Sequence, residues 1–291
     1  MTLSPFRTAT HPATPRDRTL HHVPADTTAP LWAQPHAFEH EGMFAALRTV
    51  PRERQRTSDE LRTLADAGNR RFAAPPADAL QGATEVIAWA AEAFGHRVAV
   101  ACSMAADTVL AHLVSSRIPQ VDTLFLDTGY HFPETRGLRA ELPLAMPVNV
   151  VDVLPLQTVA EQDAEYGAKL HDRDPGLCCQ LRKVEPLARE LKGYEAWFTG
   201  VRRDEAPTRA TTELVTFDER HGLVKINPLA HWSFDDVIDY AEAHQVPVNP
   251  LLAEGYPSIG CAPCTRRVAP GEDPRSGRWA GLSKTECGIH L

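Results

Sequence analysis

From about residue 77 onwards the hydrophobic pattern alternates between two kinds of segment. Short apolar runs of strand length stand at 97–102, 121–126, 148–153 and 196–199. Between them lie segments with apolar residues at helical spacing, at 84–94, after Thr108, at 180–192 and after Ser233. Pro186 should kink its helix or mark a restart, and Ser233 with Asp236 predicts a capping box. Strands that alternate with helices predict an α/β fold, a parallel sheet with helices on both faces.

The N-terminal segment has a different composition. Residues 1–40 are rich in Pro, Thr, His and Ala, and residues 41–72 carry weak helical signals among many charges. We therefore predict a largely disordered leader over 1–76 and an ordered domain over 77–291. The leader is interpreted as an idle tail, with a regulatory or targeting role as the alternative.

Charge and cysteine content narrow the function classes. The formal net charge of −8 over 291 residues argues against generic binding to nucleic acid or to a membrane surface. The sequence shows no signal peptide and no apolar run of transmembrane length. Six cysteines are too sparse for a disulfide scaffold, so a cytoplasmic location is expected.

The ends of the predicted strands locate a site, because open parallel sheets bind ligands beyond the carboxyl ends of their strands. Three loops lie there. Their candidate binding residues are Ser103, Asp127, Thr128, Gly129, Gly200 and Arg202. The turn at 103–108 is suited to an anion at a helix start, but it matches neither a Walker A loop nor a Rossmann fingerprint. Small residues at such a turn are structural about as often as functional.

Four of the cysteines form two tight pairs. Cys178 and Cys179 are adjacent, and Cys261 and Cys264 form a C-x-x-C. Such thiolates are typical of an iron–sulfur or metal site, and the cations that follow Cys179 would offset their charge. A structural zinc site is the alternative. Cys102 is interpreted as an ordinary buried thiol.

The fifth candidate thiol is close to the C-terminus. Cys287 stands in a short tail, taken as residues 280–291, with His290 three residues further on. A thiolate nucleophile with His290 as proton donor is the functional hypothesis, and an inert terminal cysteine is the alternative. Guanidinium groups that would bind phosphate or sulfate come from Arg202, Arg275 and Arg278.

Taken together, these segments resemble a known family, the assimilatory adenylyl-sulfate reductases, the iron–sulfur branch of the phosphoadenylyl-sulfate reductases. The similarity runs in order over about residues 77–291. Its motifs are L-D-T-G-Y-H-F-P-E-T (126–135), C-C-Q-L-R-K-V-E-P-L (178–187), T-G-V-R-R (199–203), P-T-R (207–209), K-I-N-P-L (225–229), Y-P-S-I-G-C-A-P-C-T-R (256–266) and E-C-G-I-H-L (286–291).

The resemblance implies a fold and a reaction. The fold is adenine-nucleotide α-hydrolase-like, related to the PP-loop proteins, with a flexible catalytic tail. Adenosine 5′-phosphosulfate is the implied substrate: Cys287 attacks its sulfur, AMP leaves, and reduced thioredoxin releases sulfite from the S-sulfocysteine. A [4Fe-4S] cluster on Cys178, Cys179, Cys261 and Cys264 is implied, with Lys183 bridging cluster and substrate.

Three alternatives stay open at this point. The first is reduction of the 3′-phosphorylated substrate, although relatives restricted to it typically lack both cysteine pairs. The second is a thiolating transferase that acts on nucleic acid, against which the net charge and the Glu286–Leu291 motif argue. The third is a non-enzymatic zinc-bound interaction module. The sequence does not decide whether the chain forms a homo-oligomer.

Overall fold

The computed structural model describes residues 54–282, 284 and 286–289, which contain one six-stranded sheet. The strands are β1 (Val98–Ala101), β2 (Val121–Leu126), β3 (Val148–Val153), β4 (Ala196–Phe198), β5 (Val215–Asp218) and β6 (Leu223–Ile226). Their order is β3-β2-β1-β4-β6-β5, and every neighbouring pair is parallel except β5 with β6.

Helices cover both faces of this sheet. Successive side chains of a strand point to opposite faces, and all three residues of β4 are buried. The helices of the described part are α1 (Ser58–Arg71), α2 (Ala79–Phe94), α3 (Thr108–Ser115), α4 (Pro133–Ala145), α5 (Val159–Tyr166), α6 (Leu170–Arg173), α7 (Pro175–Cys179), α8 (Glu185–Leu191) and α9 (Phe234–Ala243). The predicted α/β class and all four predicted strands are confirmed.

The strands that the hydrophobic pattern did not predict are β5 and β6. They form an antiparallel hairpin in which Val215 is paired with Ile226, so the sheet is mixed at this edge rather than wholly parallel. Each strand is four residues long, too short to show a clear period. Gly222 closes the turn with φ +64°, a left-handed conformation that favours glycine.

The packed domain starts earlier than residue 77. Helix α1 lies against β5 and β6 and contributes Leu61 and Ala65 to the hydrophobic core. Thr57 caps it: its side chain accepts a hydrogen bond from the Glu60 N–H, and the Glu60 carboxylate accepts one from the Thr57 N–H. The charges at 54–71 are therefore those of an amphipathic helix with its anchor, and the predicted disorder of residues 1–53 lies outside the described residues.

The anchor is a carboxylate buried beneath α1. Glu195 is fully buried, and it accepts hydrogen bonds from the backbone N–H groups of Gln55 and Arg56 at 2.8 and 3.0 Å. The guanidinium groups of Arg56 and Arg97 contact the same carboxylate at 2.5 and 2.9 Å. Arg54 also donates to the backbone carbonyl of Tyr194. Residues 54–56 are thereby fixed to the start of β4.

Two further helix predictions can be compared with the structure. The helix expected over 84–94 starts earlier, at Ala79, because Asp78 caps it through the Gln81 N–H. The capping box expected at Ser233 is confirmed, since Ser233 and Asp236 exchange hydrogen bonds at 3.1 and 2.7 Å. No helix in the described part of the chain is long and apolar enough to span a membrane.

Replacing Glu195 with Gln should destabilise the fold in a pH-dependent way. Burial alone would raise the pKa of Glu195, but hydrogen bonds from Arg97 and Gln55 hold it below the ordinary value. The group therefore stabilises the fold above the unfolded pKa, and this contribution is lost as the pH falls through the folded pKa. At pH 7 we expect Glu195→Gln to lower the free energy of unfolding by about 3 kcal/mol.

Urea unfolding of the wild type and the variant from pH 7 down to pH 3 measures this effect. The gap between the two proteins should narrow at the acid end. Glu242→Gln, at an exposed position of α9, serves as the control and should change stability little at any pH. A gap that stays constant down to pH 3 would show that the charge of Glu195 is not what matters.

Candidate active site

A cavity of about 310 Å³ opens at the carboxyl ends of β1, β2 and β4. Its walls come from the loops after these strands, from segments 257–260 and 274–279, and from the C-terminal residues 286–289. The predicted site residues that line it are Ser103, Lys183, Gly200, Arg202, Arg275, Arg278 and Cys287. The strand-end rule therefore located the cavity correctly.

The turn after β1 is already filled by the chain itself. The carboxylate of Asp107 accepts hydrogen bonds from the backbone N–H groups of Ser103 at 2.6 Å and Ala105 at 3.0 Å. These are the donors that the sequence assigned to an anionic ligand. The Thr108 side chain is buried, and its hydroxyl has no hydrogen-bond partner in the described part of the chain. The turn therefore presents a carboxylate to the cavity.

The first residues of the loop after β2 face away from this cavity, whereas His131 of the same loop lines it. Asp127 accepts a hydrogen bond from the Gly129 N–H and pairs with Arg136. Thr128 is buried, and its hydroxyl lies 3.3 Å from the Cys261 sulfur. Gly129, at φ +75°, leaves room for the Arg182 guanidinium. The three residues 127–129 line no part of the 310 Å³ cavity, and of the three only Thr128 borders the cysteines.

Helix α7 ends at the tandem cysteines. The residues Gln180–Val184 form one turn of π-helix, called the π-turn below, before α8 begins. The restart expected at Pro186 is confirmed, because this proline occupies the first turn of α8. Around the π-turn two neighbouring cations diverge. Arg182 turns inward to the Thr128 carbonyl and to Gln162 Oε1, at 3.1 Å from the latter, whereas Lys183 reaches the cavity wall.

The second cysteine pair is brought to the first by two backbone contacts. The Ala262 N–H donates to the Tyr130 carbonyl at 2.7 Å, and the Trp279 N–H donates to the Cys264 carbonyl at 3.0 Å. As a result all four thiols, Cys178, Cys179, Cys261 and Cys264, border one small pocket. Among the described residues, no three His, Cys, Asp or Glu side chains converge on one point as ligands of a single ion.

Burial and the closeness of the four sulfurs disfavour ionisation of the thiols in this pocket. Burial and then the charges of Cys179, Cys261 and Cys264 raise the pKa of Cys178 to about 12. Burial and Cys261 raise the pKa of Cys264 to about 11. A cationic group bound between the sulfurs would remove this penalty, so the donor set is chemically suited to a metal group. Cys102 lies outside this pocket. Burial and the neighbouring Asp107 carboxylate raise the pKa of its thiol well above the ordinary value.

Three side chains separate the thiol pocket from the large cavity and border both. They are Lys183, Arg278 and Trp279. Burial alone would lower the pKa of Lys183, but the nearby thiolate charges of Cys261 and Cys287 hold it above the ordinary value. Arg278 donates to the Ser258 hydroxyl and the Ile259 carbonyl, and its buried Nε has no partner among the described residues. This shared wall therefore offers an unused donor to a ligand.

The C-terminal residues close the cavity. The Glu286 carboxylate accepts hydrogen bonds from Arg209 at 2.8 and 3.0 Å and from Arg275 at 3.1 Å. Ile289 packs against the hydrophobic core. The tail was expected to be flexible, yet its described residues are seated in the cavity. Glu286 was missed as a site residue although it precedes the candidate nucleophile, and His290 lies outside the described residues.

Arg202 points into the same cavity but is already paired. Its guanidinium lies 3.0 Å from the Asp204 carboxylate and 3.5 Å from Glu205. The backbone of Gly200, also predicted for the site, passes close to Asp107, since a Cβ at this position would lie 2.9 Å from the Asp107 Cβ. Arg202 and Gly200 are thus placed at the cavity with partners from the chain.

The sheet order and the helices on both faces define an α/β protein with its cavity at the carboxyl ends of the strands. Residues 97–267 match the phosphoadenosine phosphosulfate reductase domain. Similar proteins named adenosine 5′-phosphosulfate reductase come from Streptomyces coelicolor, 58% identical over 82% of this chain and 98% of the relative, and from Mycolicibacterium smegmatis, 55% identical over 81% and 97%. The chain belongs to the phosphoadenosine phosphosulfate reductase family.

A solved structure supports the same fold. The phosphoadenylyl-sulfate reductase of Candida auris superimposes with a TM-score of 0.57 at 29% identity, over 70% of this chain and 96% of that one. The fold expected from the resemblance, adenine-nucleotide α-hydrolase-like, is thereby confirmed.

Gly260→Ala should weaken the binding of AMP. An added Cβ would lie 2.6 Å from the Arg278 guanidinium carbon and would push this side chain away from the cavity. Losing one charge-assisted hydrogen bond should raise the Kd by about ten- to a hundredfold. Isothermal titration calorimetry measures the change. Gly137→Ala in α4, where a Cβ meets nothing within 4 Å, is the control. Equal affinities in both variants would mean that Arg278 does not contact the nucleotide.

Proposed function

We propose that this protein reduces adenosine 5′-phosphosulfate to sulfite and AMP, with Cys287 as the nucleophile. One observation carries the proposal: Cys287 lies in a strand-end cavity whose wall holds Lys183 and Arg278. Supporting it, the relatives from Streptomyces coelicolor and Mycolicibacterium smegmatis are named for this activity.

In the first step the Cys287 thiolate attacks the sulfur of the sulfate group. A sulfur–sulfur bond forms, and the bond between that sulfur and the bridging phosphate oxygen breaks with its electron pair going to AMP. Negative charge grows on the leaving phosphate and on the sulfonate oxygens. Lys183 and the Nε–H of Arg278 are the donors that would stabilise this negative charge. They lie in a partly buried site, where electrostatic stabilisation is stronger than in water.

In the second step a thiolate of reduced thioredoxin attacks the Cys287 sulfur. Sulfite leaves as a mixed disulfide forms, and the second thioredoxin thiol resolves the disulfide, so thioredoxin supplies both electrons. We assign His290 as the proton donor of the cycle on the sequence argument, since it lies three residues from the nucleophile. The dependence on thioredoxin also fits a cytoplasmic location.

We propose further that Cys178, Cys179, Cys261 and Cys264 hold a [4Fe-4S] cluster. These four thiols border one pocket, and four cysteine thiolates are the usual ligands of such a cluster. When bound, the cluster would supply structural support and a fixed electrostatic field beside the substrate. Thr128, through its hydroxyl near Cys261, and Arg182, through the Thr128 carbonyl, would orient the ligands.

A second candidate substrate is the 3′-phosphorylated nucleotide. The Candida auris protein, which shares this fold, is titled for it. The relatives from Streptomyces coelicolor and Mycolicibacterium smegmatis, however, are named for the 5′-phosphosulfate and are 58% and 55% identical to this chain. The 5′-phosphosulfate is therefore the preferred substrate of this proposal.

Cys287→Ser should abolish turnover without unfolding the protein. The hydroxyl lacks the nucleophilicity of a thiolate near neutral pH, so the rate should fall by several orders of magnitude while AMP binding persists. Wild type incubated with substrate and no thioredoxin should gain about 80 Da on the tail peptide, the mass of one SO₃ transferred to sulfur. Mass spectrometry before and after thioredoxin checks both points. An adduct on another cysteine would assign the nucleophile elsewhere.

Anaerobically purified protein should contain about four iron and four sulfide per chain, as expected for one Cys-ligated cluster. Cys261→Ser should lose most of this iron because a ligand is removed. Cys102→Ala, which changes a buried thiol outside the pocket, should retain it. Metal analysis with the visible absorption spectrum gives the readout. Stoichiometric zinc with no iron would contradict the cluster proposal and support a structural zinc site instead.

A further inference from the structure

Apart from Arg202, which is paired with Asp204 and Glu205, the lysine and arginine side chains that line the cavity fall into two groups by their partners. Arg209 and Arg275 both contact the Glu286 carboxylate, at 2.8 and 3.1 Å. Lys183 and Arg278 have no ion pair with any carboxylate in the described part of the chain, and the Nε of Arg278 has no partner there. One pair of cations is therefore engaged by the tail, and the other is left for a ligand.

The salt bridge between Glu286 and Arg209 is bidentate. Arg209 donates from Nε to one carboxylate oxygen at 3.0 Å and from Nη2 to the other at 2.8 Å. Arg209 is itself held by Glu205 at 2.5 Å, which fixes the guanidinium plane. The Glu286 side chain is 9% exposed. Bidentate, largely buried pairs of this kind fix geometry as well as adding energy.

The residues after the nucleophile are anchored independently. Arg220, in the turn between β5 and β6, donates to the Gly288 carbonyl at 2.5 Å. Gly288 has φ +86°, so the chain turns sharply there, and Ile289 then packs against the core. Cys287 is thus held between an ion pair on one side and a backbone contact on the other.

We propose that Glu286 is a positioning residue that seats Cys287 in the cavity through Arg209 and Arg275. The pairing directs these two guanidinium groups to the tail and leaves Lys183 and Arg278 to the anion of the substrate. It also sets the ease with which the tail opens, because the pair must break before the tail can leave the cavity. The catalytic part of this inference rests on the proposed function, whereas the seating of the tail does not.

Glu286→Gln removes the charge and keeps the shape of the side chain. In single-turnover experiments with adenosine 5′-phosphosulfate and no thioredoxin, the variant should form S-sulfocysteine about ten- to a hundredfold more slowly, as expected for a lost charge-assisted contact. The Kd for AMP should stay within about threefold of wild type, a change of less than about 0.7 kcal/mol. Glu286→Asp should recover part of the rate. Glu254→Gln, an exposed pair with Arg267, is the matched control.

A second readout does not depend on the reaction. Iodoacetamide labelling of Cys287, followed by peptide mass spectrometry of the cluster-loaded protein, should be about tenfold faster in Glu286→Gln, since the tail opens more often without the pair. Arg209→Gln should have the same effect, and the double variant should add little to either single one.

The proposal would be overturned if Glu286→Gln showed the same rates of Cys287 labelling and of sulfonate transfer as the wild type. Tighter AMP binding with unimpaired transfer would also overturn it, because Glu286 would then be a placeholder that the substrate displaces. Faster labelling in a protein that transfers no sulfonate to Cys287 would keep the seating role of Glu286 and reject the proposed function instead.

Discussion

The site depends on one electrostatic constraint: positive charge must stand at the boundary between a pocket of thiols and the strand-end cavity. Lys183 and Arg278 border both the thiol pocket and the cavity, so a movement of either side chain changes both spaces. The thiolate charges of Cys261 and Cys287 stabilise the ammonium form of Lys183 against its burial. Removing the lysine would leave the thiolates less compensated and the cavity without a main donor.

The rest of the structure serves this boundary. The π-turn after the tandem cysteines sends Arg182 inward and Lys183 to the boundary. The pairing of Thr265 with Arg278 fixes the second cation next to the C-x-x-C. In a chain with a formal net charge of −8, this local excess of cations arises from placement rather than composition. The acidic excess also explains why several arginines in the cavity already have carboxylate partners.

The positions of β1 to β4, the Ser233 capping box and the restart at Pro186 were predictable because each depends on local sequence. The grouping of Cys178, Cys179, Cys261 and Cys264 was predictable from their spacing and from the family resemblance, as was the place of Cys287 at the cavity. Three features were not, because they depend on distant partners. Asp107 fills its own turn, Glu286 pairs with Arg209 across 77 residues, and α1 packs on a hairpin too short to be recognised. The π-turn has no sequence signature of its own.

The product balance of the whole reaction tests the proposed chemistry most directly. Anaerobic protein should be mixed with adenosine 5′-phosphosulfate and reduced thioredoxin, and AMP and sulfite measured together. We expect equal amounts of both products, and a kcat/KM at least about tenfold higher than with the 3′-phosphorylated nucleotide, a difference of about 1.4 kcal/mol. AMP release without sulfite would contradict sulfonate transfer to Cys287 and its reductive release, and a reversed preference would contradict the assigned substrate.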